Sequence, residues 1–293
     1  MISVLVCTYN QEKYLVQTLD SILMQQCDEA FEILIGDDCS TDRTGEIADG
    51  YQSRYPEIVR VVRPEKNSGA SLNLVRLIEK AKGDYLSICD GDDYWLSNAV
   101  LQKQINIFKS SPDIGMLCAK AKCYIQEEGT FKGTLGYAGA EDLMSMLKDN
   151  RDVAAPTIAF RTDLMRQCIH ECTWYINQNF FYDSIMAYWF AYNSKIKFID
   201  EELAAYRVLQ NSACHATDNK KNRLFSKRYY MVKWHFVITH PDLCDTEIFN
   251  LLVQDYDART REVEYQTMLE MRETFAYKLG YALLKPIKKI LNS

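Results

Sequence analysis

Tyr85-Leu86-Ser87-Ile88-Cys89-Asp90-Gly91-Asp92-Asp93 runs from an apolar segment straight into three carboxylates set around a glycine. The apolar part reads as a buried strand and the acidic part as the turn that ends it. Glycine lets the backbone turn tightly among the acids. Carboxylates this crowded repel one another unless a cation or a donor-rich ligand joins them. A hard divalent ion, held by one or two carboxylates plus substrate phosphates, is the usual partner of such a cluster. The alternative is an Asx-rich turn that only stops a strand.

Outward from that stretch, the first third of the chain alternates strand and helix signals. Ser3 to Thr8 is a short strand-like run, ended by Tyr9-Asn10-Gln11. Tyr14 to Met24 carries Leu15, Leu19, Ile22 and Leu23 at helical spacing. Phe31 to Ile35 is a second strand, ending at Gly36-Asp37-Asp38. A helix begins near Thr41-Asp42, whose side chains can cap free amides, and runs to Arg54. Ile58 to Val62 is a third strand, Ser71 to Lys82 a helix, and Asp84 to Cys89 a fourth strand. Repeated strand–helix–strand units imply a parallel sheet with right-handed crossovers. In open sheets of this kind, ligands gather outside the carboxyl ends of the strands. Thr8-Tyr9-Asn10, Asp37-Asp38 and Asp90-Gly91-Asp92 all fall there. Solvation alone does not explain three polar clusters at one end of successive core strands, and they point to a nucleotide-phosphate site.

Farther on, Leu101 to Phe108 predicts a helix, Gly115 to Ile125 a strand, Ala140 to Leu147 a short helix and Thr157 to Phe160 a strand. Phe180 to Tyr192 is rich in aromatics around one acid, Asp183. Ile196 to Ile199 and Leu203 to Tyr206 predict two late strands, and the pattern turns helical from Arg223 onward. With 293 residues, 47% hydrophobic and 25% charged, the chain has ample core. A net charge of -6 argues against a duplex nucleic-acid binder, so no nucleic-acid partner is expected. Met1-Ile2-Ser3 leads directly into Val4-Leu5-Val6 without a basic flank, and no membrane span is evident. Cys7, Cys89 and Cys118 lie in apolar runs and read as reduced, buried thiols of a cytoplasmic protein. Cys168-x-His170-x-Cys172 matches no standard zinc spacing and reads as a helix end.

Taken together, these motifs resemble the family 2 glycosyltransferases with a GT-A fold. The likeness begins at Ser3-Val4-Leu5-Val6-Cys7-Thr8-Tyr9-Asn10 and continues through Ile35-Gly36-Asp37-Asp38-Cys39-Ser40-Thr41-Asp42. Asn67-Ser68-Gly69 and Asn73 follow in familiar places. Ala81-Lys82-Gly83-Asp84-Tyr85 then leads into Asp90-Gly91-Asp92-Asp93-Tyr94-Trp95, which is similar to the family's DxD region. Weaker similarity reaches Tyr182-Asp183 and Tyr206-Arg207 with Ser212. The fold class so implied is α/β, with a mostly parallel central sheet flanked by helices and a helical C-terminal extension. Residues 1–220 would form the catalytic domain, with a nucleotide-sugar half (1–110) and an acceptor half (111–220), and 221–293 the extension.

The activity implied by the resemblance is transfer of a sugar from a nucleotide diphosphate, UDP or dTDP, to an acceptor hydroxyl with inversion. A divalent metal, Mn2+ or Mg2+, would bridge the diphosphate. By this likeness Asp92 is the metal ligand, and Asp90 meets the ribose hydroxyls or orients the metal's water shell. Asp93 either joins them or caps the following helix. Asp38 is similar to the acid that accepts the base imide N–H, since a carboxylate offers only acceptors. Thr8, Tyr9 and Asn10 would flank the base, and Asn67 and Asn73 either reach the nucleotide or hold their loop. Asp183 is similar to the general base, although many relatives carry a glutamate where this chain has Tyr182. Arg207 would compensate the departing diphosphate. Relatives often have a histidine soon after this arginine; here Leu209-Gln210 follow, and His215 lies farther on.

The segment from Tyr277 to Leu291 is apolar with spaced lysines. It suits either a membrane surface bearing anionic lipids or packing on the catalytic domain or a second subunit. The expected partners are thus a nucleotide-sugar donor, a glycan or lipid-linked sugar acceptor of cell-surface polysaccharide type, and at the tail a membrane face or a homodimer mate. A sugar nucleotidyltransferase would show a glycine-rich phosphate loop after the first strand, which Thr8-Tyr9-Asn10-Gln11 is not. A non-catalytic nucleotide- or glycan-binding subunit would keep the fold and lose turnover.

Overall fold

Seven consecutive buried residues, Ile2–Thr8, form β1, the centre of a parallel four-strand half-sheet. A strand covered on both faces tolerates no alternation, and ISVLVCT has none. β1 pairs in parallel with β2 (Phe31–Asp37) and β4 (Tyr85–Ile88), and β2 pairs with β3 (Val59–Val62). The crossovers carry α1 (Leu15–Leu23), α2 (Thr44–Arg54) and α3 (Ala70–Lys80). Their apolar faces enter the core through Leu15, Leu19 and Ile22 of α1 and Leu74, Leu77 and Ile78 of α3. This computed structural model describes residues 1–138, 141–149, 153–180, 182–210, 231–243, 248 and 250.

Beyond β4 the sheet becomes mixed. Its order is β3-β2-β1-β4-β8-β6-β9-β5, with β7 also on β6. The added strands are β5 (Tyr94–Trp95), β6 (Ile114–Ile125), β7 (Thr130–Leu135), β8 (Ala159–Arg161) and β9 (Lys195–Val208). β8 runs antiparallel to β4 and β6, whereas β6 and β9 are parallel. The helices of this half are α4 (Val100–Ser110), α5 (Leu143–Asp149), α6 (Thr162–Glu171), α7 (Thr173–Asn177) and α8 (Tyr182–Asn193). Arg161, from β8, donates to the carbonyls of Phe108, Ser111 and Ile114, and so closes the carboxyl end of α4.

The two late strands expected from the sequence are one strand, β9. Asp200-Glu201-Glu202 suggests a break, yet the ladder only shifts register there, from Ile199 opposite Ala119 to Glu202 opposite Lys120. The acids bulge toward solvent and pair with Lys120, Lys103 and Lys122. The helix expected from Ala140 begins at Leu143 among the described residues. β5, β7, α6 and α7 carry no pattern strong enough to have been read.

The chain divides into two compact units, Met1–Phe225 and Ser226–Ser293. In the second, residues 231–239 are helical and bury Val232, Phe236 and Val237, which lie at helical spacing. Among the described residues, no helix is long and apolar enough to cross a membrane. The segment from Tyr277 to Leu291, Ser212 and His215 lie outside the described residues.

Candidate functional site

Backbone hydrogen bonds draw the carboxyl ends of β1, β2 and β4 together. The Asp38 amide donates to the Thr8 carbonyl at 3.1 Å, and the Gly91 amide to the Cys7 carbonyl at 2.8 Å. Asp38 and Asp90 thus flank the end of β1. Burial first, then the charges of Asp90 and Asp38, push the Cys7 thiol up.

The two acidic turns differ in how they are satisfied. In the first, the buried Asp37 carboxylate accepts the Ser40 amide at 3.0 Å and Arg63 Nε at 2.9 Å. Asp38, also buried, accepts the Ser68 amide at 3.0 Å on both oxygens, the Ser68 hydroxyl at 2.8 Å and the Gly69 amide at 2.7 Å. The Arg76 guanidinium stands 3.9 Å away. Gly69 sits at φ 86°, a value that favours glycine. Asn73 Nδ2 donates to the Gly36 carbonyl at 2.6 Å, and its Oδ1 accepts from Arg76 at 3.0 Å, so Asn73 ties α3 to β2. Gly36 has to lack a side chain: a Cβ there would stand 2.7 Å from Asn73 Oδ1.

Donors are scarcer in the second turn. Asp90 Oδ1, Thr8 Oγ1 and Gln11 Oε1 are closed off from solvent and have no hydrogen-bond partner. They surround Gly91, where a Cβ would meet Gln11 Oε1 at 2.5 Å and Thr8 Oγ1 at 2.7 Å. Burial, then the charges of Asp92 and Asp183, push the Asp90 carboxyl up to about 8. Burial likewise raises Asp92, opposed by its own backbone amide, by Arg207 and by a hydrogen bond from Gln11. The turn itself is held rigidly. The Asp93 amide donates to the Asp90 carbonyl at 2.9 Å, and Thr18 Oγ1 reaches the Gly91 and Asp93 carbonyls at 3.0 and 2.6 Å.

Asp93 does not cap a helix. It leads into β5, and its Oδ1 accepts the Arg207 amide at 2.7 Å. Arg207, on β9 and 5% exposed, donates from Nε to the Asp92 carbonyl at 2.6 Å, to Gln17 at 2.7 Å and to Gln126. Tyr14, Tyr94 and Tyr124 present their rings to the guanidinium at 4.8, 5.2 and 5.4 Å.

Asp183 lies in the first turn of α8, where the helix N-terminus favours a negative charge. Its Oδ1 accepts the Ser184 amide at 2.8 Å, and its charge is felt at Asp90. The chain entering α8 is pinned to α3: Ser71 Oγ donates to the Phe180 carbonyl at 3.1 Å. Asn10, at φ 54°, accepts the Thr41 amide on Oδ1 and donates its own amide to Ser40 Oγ, joining the β1 loop to the loop after β2. Tyr9 is 45% exposed and Asn67 is exposed at the rim of the loop that Asp38 holds.

Thr8, Asp38, Asp90, Asp92, Asp183 and Arg207 therefore share one neighbourhood. Gln11, Gln17, Thr18, Gln126 and the three tyrosines belong to it as well. Nothing in their sequence context marks them, because glutamine and tyrosine at helical or strand spacing look like ordinary surface or core. Among the described residues, no three His, Cys, Asp or Glu side chains converge as a metal-binding group. The protein's share of a cation shell would be one or two carboxylates, with ligand oxygens and water completing it. The unpartnered Asp90 oxygen and the half-buried Asp92 fit a hard divalent cation on those terms. The Cys168 and Cys172 thiols lie 4.0 Å apart, buried at the end of α6 and without a third ligand of that kind.

The family model described as Glycosyl transferase family 2 matches residues 3–174. A candidate teichuronic acid biosynthesis glycosyltransferase of Bacillus subtilis, TuaG, is 37% identical over 105 residues, 36% of this chain and 40% of its own. The chain spans about a third to two fifths of the length of the first curated relatives it matches, 36% and 40%. Among solved structures, Staphylococcus aureus TarS in complex with UDP-GlcNAc superposes with a TM-score of 0.63 at 19% identity, covering 94% of this chain and 77% of that one. The mannosyltransferase PcManGT of Pyrobaculum calidifontis, in complex with GDP-Man and Mn2+, gives 0.54 at 14% identity, covering 100% and 87%. At these identities the structural likeness establishes the GT-A fold and nothing finer.

Proposed function

This chain belongs to glycosyl transferase family 2, and from that premise we propose that it transfers a sugar from a nucleoside-diphosphate donor to an acceptor hydroxyl, with inversion. The observation that supports this most directly is the set of unpartnered oxygens, Asp90 Oδ1, Thr8 Oγ1 and Gln11 Oε1, beside Asp92 where β1 and β4 end. Buried acceptors without donors are costly in a native fold unless a ligand supplies the missing partners. A nucleotide with ribose hydroxyls and a cation-bound diphosphate supplies both kinds.

In this reading Asp92 would hold a divalent cation, Mn2+ or Mg2+, with Asp90 meeting the ribose hydroxyls or orienting the cation's water shell, and the cation would offset charge on the leaving diphosphate. Asp183 accepts the acceptor's proton as the new carbon–oxygen bond forms and the bond to the diphosphate breaks. Its place in the first turn of α8, near enough for its charge to push Asp90 up, supports this role. Thr8, Tyr9 and Asn10 line the base side. The names of TuaG and TarS's bound ligand make a UDP-sugar and a cell-surface polysaccharide acceptor the first to try.

A thermal-shift panel of UDP, dTDP and GDP, each with Mn2+ and with EDTA, tests the donor class. The expected result is a rise in Tm for one base that depends on Mn2+. No shift with any nucleoside diphosphate would overturn the proposal. Binding without transfer to any supplied acceptor would instead favour a nucleotide-binding subunit of the same fold. The anomeric configuration of the product, read by NMR, tests inversion.

A further inference from the structure

We infer that Arg207 is a positioning residue: it aims the Asp92–Asp93 turn at the bound diphosphate and does not itself touch that diphosphate. The inference rests on the proposed function, and gives the arginine a different task from the direct charge compensation implied by its place after Tyr206.

All three guanidinium nitrogens already donate, Nε to the Asp92 carbonyl at 2.6 Å and the other two to Gln17 and Gln126. The residue's own amide holds Asp93 Oδ1 at 2.7 Å. Arg207 therefore grips the backbone of one acid and the side chain of the next. Three tyrosine rings, from the residue before α1, from β5 and from β6, stand around the same group. Such rings favour a cation that stays where it is. The bonds to Asp92, Gln17 and Gln126 take three of the guanidinium's five N–H groups, and turning the side chain toward a diphosphate would break them and take it out of its tyrosine surround. Held in place, its positive charge offsets the carboxylates of Asp92 and Asp93. The planar fork is what makes this clamp possible; a lysine ammonium keeps the charge but cannot bond in three directions at once in that plane.

The test compares the full chain with Arg207→Lys and with Gln126→Leu, a variant that leaves the guanidinium intact and loosens one anchor. UDP affinity is measured by calorimetry in Mn2+ and in EDTA, and Mn2+ affinity by electron paramagnetic resonance in the presence of UDP. Arg207→Lys is expected to weaken Mn2+ binding by at least ~10-fold, as loss of an outer support of a metal ligand does, and to leave UDP affinity in EDTA within about twofold. Gln126→Leu should shift Mn2+ binding in the same direction by a few-fold. Equal loss of UDP affinity in Mn2+ and in EDTA would mean direct contact with the diphosphate and overturn the inference, as would unchanged Mn2+ binding in both variants. If Arg207→Lys fails to fold, Gln126→Leu and Gln17→Leu decide on the same criterion. If the wild type binds UDP in Mn2+ and the variants do not discriminate, only this inference falls. If the wild type binds no nucleotide, the functional proposal falls and takes this one with it.

Discussion

The end of β2 brings two carboxylates, Asp37 and Asp38, and the turn after β4 three, Asp90, Asp92 and Asp93, to the same end of one sheet, yet they are supplied very differently. Asp37 and Asp38 are surrounded by internal donors: Ser40, Arg63, Ser68, Gly69 and, more distantly, Arg76. Asp90 has a closed-off oxygen with no partner, and both Asp90 and Asp92 are pushed up by burial. A saturated carboxylate stabilises the fold that surrounds it. A starved one, in a turn pinned by Thr18 and Arg207, is poised for something that arrives from outside. Position at a strand end nominates an acid, and its donor inventory sets up the test of structural against ligand-binding duty.

Several experiments would break or sharpen that contrast. The largest expected effect belongs to Asp183→Asn, which should lower kcat by ~10²- to 10⁴-fold as loss of a general base does, while UDP binding in Mn2+ stays intact. Loss of nucleotide binding in this variant would remove Asp183 from the base role. Next, Asp92→Ala should abolish the Mn2+-dependent part of UDP binding and cut transfer by ~10³-fold, with Tm unchanged or raised. A large drop in Tm would place Asp92 among the structural acids.

Asp38→Ala should act the other way, destabilising the protein by roughly 2–4 kcal/mol, because the Ser68 and Gly69 amides lose their acceptor. Chemical denaturation measures this directly. Unchanged stability with a weakened affinity for uridine would return Asp38 to the base-recognition role implied by its motif.

Asp90 yields a pH test with a definite sign. Its folded carboxyl titrates at about 8, against roughly 3.9 in an unfolded chain. Between those values the folded state holds a proton that the unfolded state has released, so metal-free stability falls as pH rises through that window. The slope is at most ~1.4 kcal/mol per pH unit. Asp90→Asn should flatten the decline in Tm between pH 5 and 8; an unaltered profile would show that another group carries it. The smallest effect is expected for Gly36→Ala, about 1–3 kcal/mol from crowding Asn73, with kcat unaffected in the folded fraction.

Much of the architecture was legible in advance. β1, β2, β4 and α1 to α4 fall close to where periodicity and turn residues put them, because each is specified by neighbours in sequence. β5 is two residues long, too short for any alternation to show, whereas the strand expected from Thr157 to Phe160 overlaps β8. The acids of β9 look like a loop until Lys103, Lys120 and Lys122 are found opposite them. The site was legible in part for a similar reason. Asp38, Asp90 and Asp92 stand in turns that announce themselves. Thr18 and Gln17, by contrast, sit on an amphipathic helix whose pattern accounts for them without any site.

From the sequence alone came the alternation of strand and helix, the placing of acidic clusters at strand ends, and the family likeness those motifs carry. Such features are local, since hydrophobic period and turn chemistry act over a few residues. Only the tertiary structure decided which carboxylates are supplied with donors and which are left wanting. It alone brought Arg207 to Asp92 across 115 positions of chain. Hydrogen-bond partners are chosen through space, and the chain path that brings them together is a property of the whole sheet.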